Sequence, residues 1–417
     1  MSKPQHHRGA LTELIRREID AHETVPFARF MELALYAPGL GYYERDKVPI
    51  GRGGDFYTSV SVGSLFGELL AFQLAEWITE CGMRNAECGM GAARVQLVEA
   101  GAHDGRLAAD ILGWMRRQRP DVLGRLEYWI IEPSAQRRQW QEKTLVEFLP
   151  GVRWADAAFR IPQSLFQSCS SRREEAPFPL KLEPPHVGCY GVLKSPSPSA
   201  FQILFCNELL DALPVHRLGW DAQQQQWFEW HVTWSQDRFV WARRPLASDL
   251  TPALRRLPAA LCSALPDGYT VEISPAAVQW WRDAASFLKQ GKLLAIDYGL
   301  TEEEWLAPHR PQGTLRAYQQ HHQGNDVLAD PGGQDLTAHI DFTALQRAGE
   351  AAGLKTEALV SQGQFMVGIA SRVWAAPASF PAWTPARTRQ FQTLTHPEHL
   401  GSRFRVLIQS RGNARLA

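Results

Sequence analysis

The chain of 417 residues predicts an α/β protein with a mostly parallel, seven-stranded sheet. The apolar run at residues 95–98 is typical of a strand that is buried on both faces of a parallel sheet. Directly after it, Leu107, Ile111 and Trp114 recur at helical spacing. Strand and helix patterns then alternate through most of the chain. This alternation predicts a Rossmann-like core with helices on both faces of the sheet.

A glycine-rich turn joins the first strand to its helix. Within VEAGAHDGRLAADIL (98–112), Glu99, Gly101, His103 and Gly105 occupy every second position. Glycine permits a tight turn and lets the backbone approach a ligand closely. The first turn of a helix also offers unpaired N–H groups to a ligand. The pattern therefore predicts that a nucleotide-like cofactor binds here.

A second acid narrows the class of cofactor. Glu132 ends the next predicted strand, residues 128–131, and G-x-G-x-x-G, the fingerprint of dinucleotide folds, is absent from the turn. E-x-G-x-G-x-G followed by an acidic strand end is typical of class I S-adenosylmethionine (SAM) methyltransferases, with His103 in place of the middle glycine. In that class the second acid binds the ribose hydroxyls. A nicotinamide oxidoreductase and a plain strand-to-helix turn are the alternatives.

Composition excludes several kinds of partner. Lys plus Arg (44) equals Asp plus Glu (44), so no overall charge attracts nucleic acid, and no apolar stretch is long enough to cross a membrane. The six cysteines form neither a C-x-x-C pair nor a metal-ligand pattern, which predicts reduced thiols and no metal site. The N-terminus resembles neither a signal peptide nor an acid-poor presequence. We therefore expect a cytoplasmic protein.

Composition and periodicity also predict how the chain is divided. Residues 1–80 form an N-terminal segment with two short helices on either side of Pro26 and a loop that covers the cofactor. Residues 81–375 form the core, and residues 376–417 a C-terminal extension. Within the core, insertions are expected at about 162–200, 216–245 and 300–340, and the second of these includes a hairpin at 225–234 that is added to the core.

Two helices have clear start signals, Ser274 with Pro275 for one and Asp341 for the other. The strands predicted to close the sheet are Lys355 to Val360 and Gln364 to Ile369.

Polar residues follow four predicted strands at the point where each strand ends. In an open α/β sheet the carboxyl ends of the strands form the ligand crevice. The residues are Glu99 with Gly101, Glu132, the run Asn207, Glu208 and Asp211, and the pair Asp297 and Tyr298. Four such ends at one edge predict an active site. The alternative is that Asn207 and Asp211 cap the following helix and that Asp297 caps a loop.

The chain resembles the MidA family of SAM-dependent methyltransferases over roughly residues 26 to 370. The matching segments are GYY (41–43), GDFYTS (54–59), FGELL (66–70), 98–112, YWIIEPS (128–134), NELLDALPV (207–215), VEISP (271–275), AIDYG (295–299), GTLRAY (313–318) and DLTAHIDF (335–342). Mitochondrial members of the family methylate an arginine on a subunit of respiratory complex I. Two positions differ from the family pattern: His103 replaces a glycine, and Val60 and Ser61 replace Pro-Glu.

The resemblance implies a role for each matching residue. The loop over the cofactor would comprise Gly54, Asp55, Phe56 and Thr58, with Glu99, Gly101, His103 and Gly105 beneath it. Glu132 would bind the ribose, and Asn207 and Glu208 would face the methyl group. The implied cofactor is SAM and the implied partner is a protein substrate, with a respiratory complex subunit as one candidate. A homodimer is compatible with the sequence.

Arginine methylation needs carboxylates that hold the planar guanidinium and direct one nitrogen at the methyl group. Glu208, Asp211 and Asp297 are the candidate catalytic residues. His321, His322 and His339 match no common metal-ligand spacing, so a surface or loop-packing role is expected first, and a place in the substrate channel for His321 or His339 second. The rival interpretation is a non-catalytic assembly factor that retains the methyltransferase fold, which the changes at His103 and Val60 favour.

Overall fold

A computed structural model describes residues 3–44, 58–87, 94–156, 201–255, 257–319, 322–324 and 326–412. Its α-helices are α1 (Lys3–His22), α2 (Phe27–Tyr36), α3 (Leu65–Glu87), α4 (Arg106–Gln118), α5 (Pro120–Leu123), α6 (Ala135–Thr144), α7 (Thr251–Leu254), α8 (Ala259–Ser263), α9 (Pro275–Phe287), α10 (Glu302–Trp305), α11 (Phe342–Ala351), α12 (Gln362–Ala375) and α13 (Pro385–Thr395).

The strands are β1 (Val25–Pro26), β2 (Val95–Ala100), β3 (Leu126–Ile131), β4 (Val152–Ala155), β5 (Phe201–Asn207), β6 (His216–Asp221), β7 (Gln226–Ser235), β8 (Arg238–Pro245), β9 (Thr270–Ile273), β10 (Gly291–Leu300), β11 (Arg316–Gln319), β12 (His322–Gly324), β13 (Asp335–Thr337), β14 (Ile340–Asp341), β15 (Lys355–Ser361) and β16 (Phe404–Arg411).

The central sheet has the strand order β15-β16-β10-β5-β2-β3-β4. The pairs from β10 to β4 are all parallel, whereas β16 runs antiparallel to both β10 and β15. The predicted Rossmann-like α/β fold is confirmed. The sheet has eight strands rather than the expected seven, because the two-residue β14 pairs with the end of β10.

Helices cover both faces of this sheet. One apolar cluster packs α3, α4 and α12 against it, and the other packs α9 and α11 against the opposite face. The predicted helix starts are confirmed, since Ser274 Oγ accepts from the Ala277 N–H and Asp341 Oδ1 from the Ala344 N–H. No helix in the described part of the chain is long and apolar enough to span a membrane.

The end of the sheet differs from the prediction. The predicted strand Gln364 to Ile369 is wrong, because these residues lie in helix α12. Ser361 and Gln364 form a capping box at its start, and Phe365, Met366 and Ile369 are buried at helical spacing. The seventh strand is β16, which the predicted division assigned to an extension after residue 375. This strand follows α13 in the chain and pairs with both β10 and β15. Most of its residues are buried.

Two smaller sheets are built from the regions between core strands. The predicted hairpin at 225–234 corresponds to β7, in a five-stranded sheet with β1, β6, β8 and β9. The second has the order β12-β11-β13 and comes from the expected insertion at 300–340. Helices α1 and α2 flank Pro26 as predicted. The expected boundary at residue 80 falls inside α3, and the expected insertion at 162–200 lies outside the described residues.

Candidate functional site

Two cavities adjoin the carboxyl ends of the parallel strands. The larger has a volume of about 760 Å³ and lies over β2 and β5. The smaller, of about 340 Å³, lies over β2 and β3. Both are lined by Tyr43, Gly101, His103 and Glu208, which therefore mark the junction between them. This is the edge at which the sequence predicted the ligand crevice.

The predicted glycine turn forms the floor of the junction. Gly101 has a φ of 77°, and a Cβ atom there would lie 2.9 Å from Leu209 Cδ1, so only glycine fits without a shift. Gly105 has a φ of 84° and is the N-cap of α4. Gly101 lines both cavities, whereas Gly105 lines neither. Glycine at position 105 therefore serves the left-handed backbone conformation of the turn.

His103 keeps the backbone conformation of the glycine that the motif expects. Its φ is 46°, in the left-handed region. The imidazole lies 6.1 Å from the Trp140 ring, and neither ring nitrogen has a hydrogen-bond partner in the described part of the chain. His103 Nδ1 lies 3.8 Å from Asp104 Oδ1. His103 lines both cavities.

Glu99 and Glu132 end neighbouring strands and are both buried. Glu99 Oε2 accepts a 2.6 Å hydrogen bond from the Tyr128 hydroxyl, and burial raises its pKa to about 7. Glu99 lines the larger cavity and Glu132 the smaller. Glu132 Oε1 accepts from the Ser134 N–H and from Arg137 Nε, each at 2.9 Å, and its Oε2 from Gln141 Nε2 at 3.1 Å. The carboxylate is thus held in a fixed orientation.

Glu208 lies at the junction in a left-handed conformation with a φ of 52°. Its Oε1 accepts 3.1 Å hydrogen bonds from the Ser59 N–H and from Asn207 Nδ2. Both partners are neutral. Burial and the charge of Asp297 raise the pKa of Glu208 to about 8. Asn207 and Glu208 both line the larger cavity, as expected of residues near the reacting centre.

Two of the predicted catalytic residues, Asp211 and Asp297, differ in their position relative to the cavities. Asp211 lines the larger cavity, and burial together with the charge of Asp297 raises its pKa well above the usual value. Asp297 is fully buried and lines neither the larger nor the smaller cavity. Its Oδ2 accepts from the N–H groups of Leu209 and Leu210. Asp297 therefore holds the turn that carries Glu208, and burial raises its own pKa to about 7.

The covering loop is described only in part. Gly54, Asp55 and Phe56 lie outside the described residues. Thr58 lines the larger cavity, and its N–H donates to Ser61 Oγ at 2.9 Å. The replaced positions Val60 and Ser61 also line this cavity.

Several further residues complete the larger cavity. His339 lines it, with its ring stacked on Tyr298 at 6.1 Å, whereas His321 lies outside the described residues. The sequence did not single out Asp335 or Tyr43, whose hydroxyl donates to Asp335 Oδ2 at 3.0 Å. Both fall in segments that match the family, DLTAHIDF and GYY, which is the signal that could have identified them.

The smaller cavity fits the nucleoside part of SAM. Its walls combine apolar side chains, Ile131, Leu213 and Trp280, with the carboxyl groups of Glu44, Glu132 and Glu208. Such a pocket matches a purine ring with a ribose at its edge. Gly101 has no side chain to contact Leu209. The space above the turn is therefore open between the smaller cavity and Glu208, which is the path that a bound cofactor would need. The fold and these residues define a class I SAM-dependent methyltransferase.

Comparison with known proteins agrees with this class and names the family. The profile of the family described as "Putative S-adenosyl-L-methionine-dependent methyltransferase" matches residues 69–360. The chain belongs to this family, the MidA-type SAM-dependent methyltransferases. Membership favours an enzyme over the non-catalytic assembly factor and over a nicotinamide oxidoreductase.

Relatives are similar over nearly the whole chain. A Drosophila melanogaster protein named "Protein arginine methyltransferase NDUFAF7 homolog, mitochondrial" is 27% identical over 99% of this chain and 87% of its own. The Danio rerio protein named "Protein arginine methyltransferase NDUFAF7, mitochondrial" is 28% identical over 96% of this chain and 86% of its own. A likely methyl transferase from Burkholderia thailandensis, crystallised with S-adenosyl-homocysteine, is 28% identical with a TM-score of 0.76, covering 99% of this chain and 94% of its own.

These names correct one prediction. The expectation of a cytoplasmic protein is wrong, because the relatives from Drosophila melanogaster, Danio rerio and Homo sapiens are all named as mitochondrial proteins. Balanced charge and a sequence without C-x-x-C pairs fit more than one compartment, so composition did not decide between them.

Proposed function

We propose that this enzyme methylates a guanidinium nitrogen of an arginine in a protein substrate. The observation that carries the proposal is the position of Glu208 at the junction of the two cavities. Its hydrogen-bond partners in the described residues are neutral, and burial with the charge of Asp297 raises its pKa, as for an acid with no cation beside it in that part of the chain. A substrate guanidinium would supply that cation. The names of the relatives, which are protein arginine methyltransferases, support the same substrate.

Two acids are placed to hold the guanidinium. Glu208 and Asp211 both line the larger cavity, and Asp335 lines it nearby. A carboxylate binds the planar fork of a guanidinium through charge-assisted bonds, often two at once. Arrival of the cation would favour the ionised form of Glu208 and lower its pKa. Glu208 and Asp211 would then fix the orientation of the nucleophilic nitrogen, which supplies most of the rate in a transfer of this type.

The cofactor, when bound, supplies an already activated methyl group on its sulfonium. In this proposal Glu132 accepts hydrogen bonds from the ribose, Gly101 lies beneath the methionine part, and Asn207 faces the methyl group. As the new C–N bond forms, the carbon–sulfur bond of the methyl donor would break with its electron pair left on sulfur, and Glu208 would accept the proton that the guanidinium loses. Asp297 is a positioning residue, since it holds the backbone N–H groups of Leu209 and Leu210 next to Glu208.

We further propose a subunit of a respiratory complex as the substrate, on the resemblance to the MidA family, whose mitochondrial members modify such a subunit. A homodimer remains compatible with this role. Neither point affects the chemistry of the site.

The test is to identify the methylated amino acid. The purified enzyme is incubated with tritium-labelled SAM and a cell lysate, and labelled proteins are hydrolysed for amino-acid analysis. We expect label in methylarginine and little label with Asp211→Asn, while Asp121→Asn, an exposed surface change, serves as the matched control. Label confined to another amino acid would exclude arginine. SAM binding without any transfer would favour the non-catalytic assembly factor.

A further inference from the structure

The larger cavity is lined by charged side chains of both signs. Glu208 and Asp211 follow β5. Arg316, at the start of β11, and Arg403, directly before β16, line the same cavity. A cavity with both signs of charge is matched by a ligand that also carries both.

The small sheet of β11 and β13 shows how close the two charges are. Arg316 pairs with Thr337, and Tyr318 pairs with Asp335, in an antiparallel register. All four line the cavity, as expected for alternate residues on one face of a sheet. Arg316 is therefore the diagonal neighbour of Asp335, a separation of roughly 7 Å between such positions. The sign of the charge changes within that distance.

Neither arginine is neutralised by an acid in the described part of the chain. The Arg316 guanidinium donates to the Leu315 carbonyl at 2.8 Å, and the exposed side chain of Arg403 makes no hydrogen bond or ion pair there. By contrast, the neighbouring Arg405 pairs with Glu304. Glu398 also lines the cavity, but no bond joins it to either arginine in that part of the chain.

The pKa of His339 reflects the positive charges near this part of the cavity. Burial, followed by the charges of Arg310 and Arg316, lowers the pKa of its imidazole to about 4. The ring is therefore neutral at pH 7, and its Nδ1 has no hydrogen-bond partner in the described residues. A nearby anion would offset the positive charges that act on it.

We propose that Arg316 and Arg403 bind a carboxylate of the protein substrate, so that preferred sites carry an acidic side chain next to the target arginine. This inference rests on the proposed arginine methylation. An extended chain rises about 3.3 Å per residue, so the separation of roughly 7 Å between Arg316 and Asp335 places the acid about two residues from the arginine. A basic residue at the same position would be repelled, which adds selectivity against other arginines.

The test uses synthetic peptides with a single central arginine. Glu, Gln or Lys occupies the neighbouring positions, and tritium transfer from labelled SAM gives the rate for each peptide. We expect the Glu peptides to be methylated about tenfold faster than the Gln peptides, as for one charge-assisted pair. The Lys peptides should be slowest.

Variants assign the preference to the two arginines. In Arg316→Gln and Arg403→Gln the Glu-to-Gln rate ratio should fall towards one, and Arg403→Glu should favour the Lys peptides. Arg238→Gln, an exposed change on β8, should leave the ratio unchanged. Binding of S-adenosyl-homocysteine, measured by calorimetry, identifies variants that remain folded. If Arg316→Gln fails to fold, the rate ratios of Arg403→Gln and Arg403→Glu test the proposal.

The outcomes separate the two proposals. Arginine methylation that is indifferent to the neighbouring residue, or a preference that persists in the Arg403 variants, would overturn the inference and leave the proposed function intact. Absence of methylarginine from every peptide, with folded and cofactor-binding enzyme, would count against the proposed function itself.

Discussion

The backbone N–H of Ser59 donates a hydrogen bond of 3.1 Å to Glu208 Oε1. Ser59 is fully buried and follows the loop that the sequence placed over the cofactor, whereas Glu208 follows β5 of the central sheet. The Ser59 hydroxyl is bonded in turn to Gln362 Oε1 at the start of α12. Ser59, the proposed catalytic acid and a helix of the core are thus joined by hydrogen bonds.

Glu208→Gln should lower kcat about hundredfold, because the amide can neither pair with a cation nor accept a proton. Its oxygen can still accept from the Ser59 N–H, so affinity for S-adenosyl-homocysteine should change little. Glu208→Ala should lose the loop contact as well and bind this product more weakly. Initial rates with labelled SAM, together with calorimetry, distinguish the two variants. Full activity in Glu208→Gln would remove this residue from the catalytic set.

Glu132→Gln should weaken SAM binding about tenfold to hundredfold, the usual value of hydrogen bonds to a charged group. The half-buried partner Arg137 would also lose one of its acids, leaving Glu44 at 4.0 Å, so binding should be measured by calorimetry well below the unfolding temperature. Glu127→Gln, near the start of the strand that Glu132 follows, is the control, because Glu127 lines neither cavity and pairs with the exposed Arg94. Unchanged affinity in Glu132→Gln would place the ribose elsewhere.

Stability should fall as the pH rises from about 5 to about 8, since the usual pKa of a carboxyl is about 4. Burial raises the pKa of Glu99 and Asp297 to about 7, and burial with the charge of Asp297 raises that of Glu208 to about 8. In that window the folded protein holds protons that the unfolded chain has released, so deprotonation favours unfolding. Urea midpoints across the window test this, and the slope should be shallower in Glu208→Gln. A stability that rises with pH would contradict it.

His103→Gly should be more stable than His103→Ala by about 1 kcal/mol, because a left-handed backbone strains alanine and not glycine. The φ of 46° at this position makes the comparison direct. Both variants should weaken SAM binding to a similar extent if the imidazole contributes a contact at the junction. Chemical denaturation and calorimetry give the two quantities. Equal stability of the variants would mean that the turn relaxes out of the left-handed region.

Leu407→Ala should cost about 3 kcal/mol of unfolding free energy, the usual loss for a fully buried leucine. Leu407 lies in β16, between β10 and β15. Val367→Ala on the exposed face of α12 is the control and should change stability by less than about 0.5 kcal/mol. Equal, small effects of both changes would show that β16 is not part of the cooperative core.

Local patterns identified much of the site. Gly101 was predictable because a turn with positive φ admits little else, and Glu132 because it ends a strand whose direction was already known. Asp297 was harder to assign. Its place at a strand end predicted catalysis, but whether its oxygens face a cavity or the backbone of Leu209 and Leu210 depends on a turn 87 residues away from it in sequence.

The sequence by itself determined the α/β class, the glycine turn, the helix caps and the order of the acidic strand ends, because each depends on neighbouring residues or on a short period. Only the tertiary structure decided that β16 completes the sheet and that Arg316, Arg403 and Glu208 line one cavity. These relationships join segments that are far apart in the sequence, from 44 residues for Ser361 and Arg405 to 195 residues for Glu208 and Arg403. They are set by which surfaces pack together, and no local pattern records that choice.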